Sequence, residues 1–146
     1  MKVIIVDDEK YIREELKYYL EMYDDIEIVG ESSTGDEVLP LVEKHHPEVI
    51  FLDINLQTDS GLIIARKLLK LKQPPLIIFV TALNEHAVEG FDIGATDYIV
   101  KPIMEARFKK CIKRIEEKLS QRTNTTTNDR LTNQLEKIVV KKSDKL

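Results

Sequence analysis

Five polar residues stand where short apolar runs end. Asp7 and Asp8 follow Val3–Val6, Asp53 follows Val49–Leu52, Thr81 follows Leu76–Val80, and Lys101 follows Tyr98–Val100. If the runs are parallel strands, these positions share the carboxyl edge of one sheet, where open α/β sheets bind ligands. Neighbouring strands lie about 4.8 Å apart, so side chains from four strand ends can meet in one crevice. Clustered carboxylates repel: at an effective dielectric near 20, each close pair costs on the order of several kcal/mol. Such a cluster calls for a cation or for raised pKa values. The donors are all oxygen, with no His or Cys nearby in sequence, which favours a hard cation and Mg²⁺ above the rest. With that ion present the chemistry is phosphoryl transfer. Asp53 is the nucleophile, since an aspartyl phosphate is an accessible covalent species. Mg²⁺ and Lys101 neutralise charge on the phosphoryl oxygens. Thr81 offers a hydroxyl to one of those oxygens, and small Ala82 beside it leaves room.

Singly, each residue has a plainer explanation. Asp7 and Asp8 fit loop or cap positions, Asp53 a solvated acid, Thr81 a turn residue and Lys101 a surface charge. Four strand ends carrying complementary groups at once are what favour the joint reading.

The elements that must position these residues are legible as alternating patterns. Val3–Val6, Ile26–Val29, Val49–Leu52, Leu76–Val80 and Tyr98–Val100 are nearly continuous runs rich in Val and Ile, as expected of strands buried on both faces. Between them lie helical periodicities. The first carries Ile12, Leu16, Tyr19, Leu20 and Tyr23. The second spans about Asp36 to His45, with Val38, Leu39 and Val42 inward. The third, capped by Ser60, carries Leu62, Ile63, Leu68, Leu69 and Leu71. Asn84 caps a fourth, with Ala87, Val88 and Phe91 apolar. The fifth holds Phe108, Cys111, Ile112, Ile115 and Leu119 on one stripe. Successive βα units predict an α/β fold: a doubly wound five-stranded parallel sheet of flavodoxin-like order 2-1-3-4-5, with helices on both faces. Beyond Leu119 the pattern collapses. Residues 121–130 read as a polar linker, and 131–146 as a tail with a short apolar patterned stretch.

Composition narrows the function classes. The chain has 146 residues and a net charge of −4, which divides unevenly. Residues 1–106 hold 10 Lys and Arg against 21 Asp and Glu, a balance of −11, whereas residues 107–146 hold 12 against 5, a balance of +7. The acidic part repels polyanions, which argues against direct DNA binding by it. One Cys, Cys111, excludes an internal disulfide and a cysteine-based metal cluster, and its place on the apolar stripe marks it as core. No apolar run approaches membrane-spanning length, and the short run at the N-terminus is not a signal-peptide core, so a cytoplasmic location is expected. His45, His46 and His86 sit on predicted helices away from the strand edge, as solvent-facing or capping residues.

Val-Asp-Asp-Glu at 6–9, Phe-Leu-Asp-Ile-Asn at 51–55, Val-Thr-Ala at 80–82 and Asp-Tyr-Ile-Val-Lys-Pro at 97–102 resemble the receiver domain of two-component response regulators. The likeness covers about residues 1–120 in order. It implies that Asp53 is the phosphoacceptor. It implies that Asp8, Asp53 and the backbone carbonyl of Asn55 ligate Mg²⁺, with Asp7 acting through a metal-bound water. It further implies that Lys101 contacts the phosphoryl group, that the bond to Pro102 is cis, and that Thr81 and Tyr98 form a switch pair. The implied donor is a sensor histidine kinase, and phosphorylation is expected to promote a homodimer through the face made by the fourth helix, fifth strand and fifth helix. Such a domain catalyses its own phosphorylation and dephosphorylation but is not a turnover enzyme. One departure stands in the loop after the acceptor: Leu56-Gln57 replaces the family's usual Met-Pro, which bears on loop rigidity and dephosphorylation rate, as does Asn55.

A finer resemblance is to regulators with a LytTR-type DNA-binding output. It rests on Ile-Ile-Phe-Val-Thr-Ala followed by Glu85-His86-Ala87-Val88 and Phe91, and on Ile103 to Arg107. The stretch Leu135 to Lys142 resembles the first strand of such an output, so the chain is expected to end shortly after that strand begins. DNA contact and transcription control would then belong to an output domain beyond this chain. Two other readings stay open: a stand-alone receiver working by protein contact, and an Mg²⁺-dependent aspartyl phosphatase. Such phosphatases need a second Asp two residues after the nucleophile, where this chain has Asn55.

Overall fold

The computed structural model describes residues 1–57, 59–82, 89 and 92–122. Its elements are β1 (Lys2–Val6), α1 (Lys10–Leu20), β2 (Glu27–Ser32), α2 (Val38–His45), β3 (Val49–Leu52), α3 (Gly61–Leu69), β4 (Leu76–Thr81) and β5 (Asp97–Val100), followed by a C-terminal helix over residues 105–122. All strand pairs are parallel, in the order β2-β1-β3-β4-β5. The fold expected from the alternation of patterns is the one found.

Period-two alternation divides the strand side chains between two apolar layers. Val3, Ile5, Val49, Phe51, Ile78, Val80 and Ile99 pack with Ile12, Leu16 and Leu20 of α1 and with Phe108, Cys111, Ile112 and Ile115 of the C-terminal helix. Ile4, Val6, Ile50, Leu52, Ile77 and Phe79 pack on the other face with Val38 and Val42 of α2 and Leu62, Ile64, Ala65 and Leu68 of α3. Each large side chain so buried contributes roughly 1.5–3 kcal/mol. Phe108 holds the first layer together by stacking on Tyr19 at 5.1 Å and on Phe51 at 5.9 Å between ring centroids.

Local chemistry sets the boundaries. Ser60 caps α3, its hydroxyl accepting from the Leu62 amide at 3.2 Å. His46 closes α2 in the left-handed region at φ 48°, which bears out its capping role. β2 runs to Ser32, beyond the Ile26–Val29 expected, because its backbone keeps pairing with β1 through Val6 after the apolar run stops. A 3-10 turn at Gly35–Glu37 delays α2 until Val38, and Leu39 is only partly buried while Val38 and Val42 are inward. Asn84, Ala87, Val88 and Phe91, on which the fourth helix was read, lie outside the described residues, as do His86 and residues 123–146.

The C-terminal helix is clamped to the sheet by charge as well as by packing. Asp97, buried at the start of β5, accepts from Arg107 Nη2 at 2.6 Å and Nη1 at 3.0 Å, from Arg114 Nη1 at 3.1 Å and from the Tyr98 amide at 2.8 Å. Arg107 also donates to the Tyr98 carbonyl at 2.8 Å. Burial works to raise the Asp97 pKa, but Arg107, the Tyr98 amide and Arg114 outweigh it and hold the carboxylate below its ordinary value. At the far end of the helix, Arg122 Nη1 donates to the Pro74 carbonyl at 3.0 Å.

Candidate functional site

Strand register brings the predicted residues to one edge. Val6 pairs with Leu52, and the ladder continues as the Asp53 amide donates to the Val6 carbonyl at 3.0 Å, so Asp7 and Asp53 leave adjacent strands side by side. Thr81 pairs with Val100, and the Lys101 amide donates to the Thr81 carbonyl at 2.8 Å. Asp7, Asp8 and Asp53 each present a carboxylate oxygen within 4.8 Å of the other two. Asp7 and Asp53 are buried, while Asp8 is partly open to solvent.

Lys101 reaches into this group. Its Nζ donates to Asp53 Oδ2 at 3.0 Å and lies 3.0 Å from Asp7 Oδ2 and 3.5 Å from Glu9 Oε1. The contact to Asp7 is an ion pair without hydrogen-bond alignment, since Asp7 Oδ2 has no hydrogen-bond partner among the described residues. Burial would depress the Lys101 amine, but Asp7 and Asp53 overcome that and raise its pKa. The Asp7 pKa is raised as well, which for a carboxylate disfavours the charged form. Burial is the main cause, and although the Glu9 amide and Lys101 oppose it, the Asp7 pKa rises from 3.8 to about 6.

The remaining expected residues fall around this centre. Thr81 is fully buried, and its Oγ1 has no hydrogen-bond partner among the described residues. Ala82 follows it and is exposed. The Asn55 side chain is exposed, and its amide donates to Asp53 Oδ1 at 3.0 Å. Tyr98 is buried, its ring 6.5 Å from that of Phe79. The Lys101–Pro102 peptide bond is cis. A tight loop closes beneath Asp53: Asn55 bridges Ser60, and the Gly61 amide donates to the Ile54 carbonyl at 2.8 Å. A Cβ at Gly61 would stand 2.1 Å from the Asp53 carbonyl oxygen, so only glycine fits there. Leu56, where the family's Met usually stands, is buried beside Ile54 in the layer facing α3.

Two neighbours were not legible as site residues. Glu9 borders Lys101 and is held low in pKa first by Tyr11, then by Lys101. Arg13, in α1, donates through Nη1 to the Asp7 carbonyl at 2.7 Å. The available signal was a lone guanidinium in α1, one helical turn after the Val-Asp-Asp-Glu block.

The donor set fits a hard divalent cation. It is all oxygen, it is acidic beyond what Lys101 alone offsets, and among the described residues one buried carboxylate oxygen, Asp7 Oδ2, has no hydrogen-bond partner. Residues 3–113 match the family model of the response regulator receiver domain. The chain belongs to that family. Relatives of this receiver domain include the sensory transduction protein LytT of Bacillus anthracis, 43% identical over 114 residues, covering 78% of this chain and 46% of that protein. Another is the transcriptional regulatory protein YpdB of Escherichia coli K12, 37% identical over 127 residues, covering 87% of this chain and 52% of YpdB. The presence of LytT and LytR proteins among the relatives agrees with the finer resemblance. Among solved structures, the response regulatory domain of mrkE from Klebsiella pneumoniae superposes with a TM-score of 0.78 at 37% identity, covering 83% of this chain and 99% of that one. The REC domain of AraT from Geobacillus stearothermophilus gives 0.73 at 31% identity, covering 84% and 97%. The receiver chain thus spans about half the length of the curated relatives it matches, and nearly all of the solved receiver domains. Among the described residues, no helix is long and apolar enough to cross a membrane.

Proposed function

We propose that this receiver is a phosphorylation switch in which Asp53 takes a phosphoryl group from a partner histidine kinase. The reading is carried by one observation: Asp7, Asp8 and Asp53 converge at the sheet edge with the Lys101 amine seated among them. An Asp53 carboxylate oxygen attacks phosphorus, the O–P bond forms, the N–P bond of the phosphohistidine breaks, and its electron pair stays on the imidazole, which takes up a proton. Asp8, Asp53 and the Asn55 backbone carbonyl would hold Mg²⁺, with Asp7 reaching it through a water. Bound Mg²⁺ supplies positive charge that neutralises the phosphoryl oxygens during transfer. Lys101 supplies a second positive charge, and the Thr81 hydroxyl, without a hydrogen-bond partner among the described residues, supplies a donor to one phosphoryl oxygen. Exposed Ala82 leaves the approach clear. Tyr11 and Tyr18 on α1, and Met104, are exposed and offer apolar surface to a protein donor.

A phosphoryl group adds up to about two negative charges and three acceptor oxygens, enough to bias a two-state surface. Thr81 and Tyr98 form the switch pair, and the responding face runs from the fourth helix through β5 to the C-terminal helix, where a phosphorylated homodimer forms. Residues 1–120 are the receiver, 121–130 a linker and 131–146 the start of a LytTR-type DNA-binding output, so that the intact protein controls transcription in the cytoplasm. Incubation of the chain with acetyl phosphate and Mg²⁺, followed by intact mass measurement, tests the central claim. One added phosphoryl group, dependent on Mg²⁺, is expected. A folded, fresh sample that gains no mass would overturn it.

A further inference from the structure

We infer that Arg13 is a positioning residue for the Asp7–Asp8 loop, setting the geometry of the cation site through the Asp7 carbonyl; this rests on the reading of the site given above. Arg13 Nη1 donates to the Asp7 carbonyl oxygen at 2.7 Å, and Arg13 Nε donates to Glu31 Oε1 at 2.8 Å. The guanidinium is planar and rigid, so two bonds through different nitrogens fix both its place and its plane. It is also well shielded, with 15% of the side chain exposed.

The carbonyl it holds belongs to the peptide unit joining Asp7 to Asp8. Fixing that unit fixes the directions in which both side chains leave the backbone. The sheet alone does not do this, because β1 ends at Val6. Beyond it, the loop is tied by the Asp7 amide to the Ser32 carbonyl at 3.1 Å, by the Glu9 amide to Asp7 Oδ1 at 2.8 Å, and by Arg13. Glu31 in turn anchors Arg13 to the sheet, since it lies in β2 paired with Ile5, and it is shared with Lys17. The chain of contact therefore runs from the edge strand through Glu31 and Arg13 to the acidic pair, without Arg13 touching the reacting atoms.

The sign of the effect separates positioning from charge. Arg13 is a cation near a cation site, so if charge were its whole influence, removing it would tighten Mg²⁺ binding. Positioning predicts the reverse. Mg²⁺ is titrated into the chain, and the dissociation constant is read from the backbone amide shifts of Asp8 and Glu9, with a thermal melt of each variant alongside. Arg13→Ala is expected to weaken Mg²⁺ binding on the order of tenfold, as loss of a residue orienting metal ligands does. Arg13→Lys keeps the charge but loses the planar fork, so it is expected to weaken binding as well. Glu31→Gln, outside the acidic cluster, is expected to weaken it to a smaller extent in the same direction, and with Arg13→Lys it carries the test if Arg13→Ala does not fold. Unchanged or tighter Mg²⁺ binding in the folded variants, even with lowered melting temperatures, would overturn the inference and leave the phosphorylation reading intact. Absence of any saturable shift in the unmodified chain would bring down both.

Discussion

A buried hydroxyl without a partner forfeits roughly 1–3 kcal/mol, and among the described residues Thr81 Oγ1 is in that position. Replacing it by an isosteric methyl removes the penalty. Thr81→Val is therefore expected to leave stability unchanged or to raise it in urea denaturation, while the variant still labels at Asp53 and passes less of the signal to the proposed dimer face. A loss of 2 kcal/mol or more on this change, about the middle of that range, would mean that the hydroxyl is bonded in the resting protein. Asp53 carries the complementary expectation. Asp53→Asn relieves repulsion from Asp7, so the fold should survive, but no phosphoryl group should be gained by mass from acetyl phosphate and Mg²⁺. The meeting of Asp53 and Lys101, and the place of Thr81 at the same sheet edge, were legible because their types and their positions at strand ends agree. Arg13 was not, because a helical Arg reads as a solvated charge until its distance to the Asp7 carbonyl is known.

At the scale of elements, two devices hold the working parts in register. The first is the loop from Asp53 to Gly61, where any side chain at 61 would collide with the Asp53 carbonyl and with Ile54 Cα. Gly61→Ala must push Asp53 out of place, and a cost of about 1–3 kcal/mol is expected, together with slower phosphorylation measured by mass against time. The second is the clamp of Asp97 by Arg107 and Arg114. Its carboxylate pKa is lowered by folding, so its contribution to stability is complete above the unfolded value of about 3.9 and is lost as pH falls through the lower folded value. Denaturation of the unmodified chain and of Asp97→Asn should show a gap that is steady near neutrality and closes in strong acid; a gap that widened instead would contradict the assignment. The sheet and the helices other than the fourth could be read from periodicity alone. The clamp could not, since it joins β5 to positions 107 and 114 by a geometry that apolar patterning does not record.

For the whole molecule, the acidic crevice is a local liability that a bound cation would relieve. Mg²⁺ binding to the folded state alone should raise the melting temperature with increasing concentration, the unfolding free energy growing by about 2.7 kcal/mol at a hundredfold excess over the dissociation constant. Chelation should reverse the gain, and Asp8→Asn should abolish most of it. The direction of the C-terminal helix has a consequence of another kind. It sets out from the edge where Lys101 and Pro102 lie and, some 27 Å later at 1.5 Å per residue, is fastened by Arg122 to Pro74, just ahead of β4 on the opposite edge. Residue 122 thus sits at the end of the domain remote from the acidic crevice. An event at Asp53 reaches that end only through the sheet and the helix between them, as a change of shape along the flank of the domain.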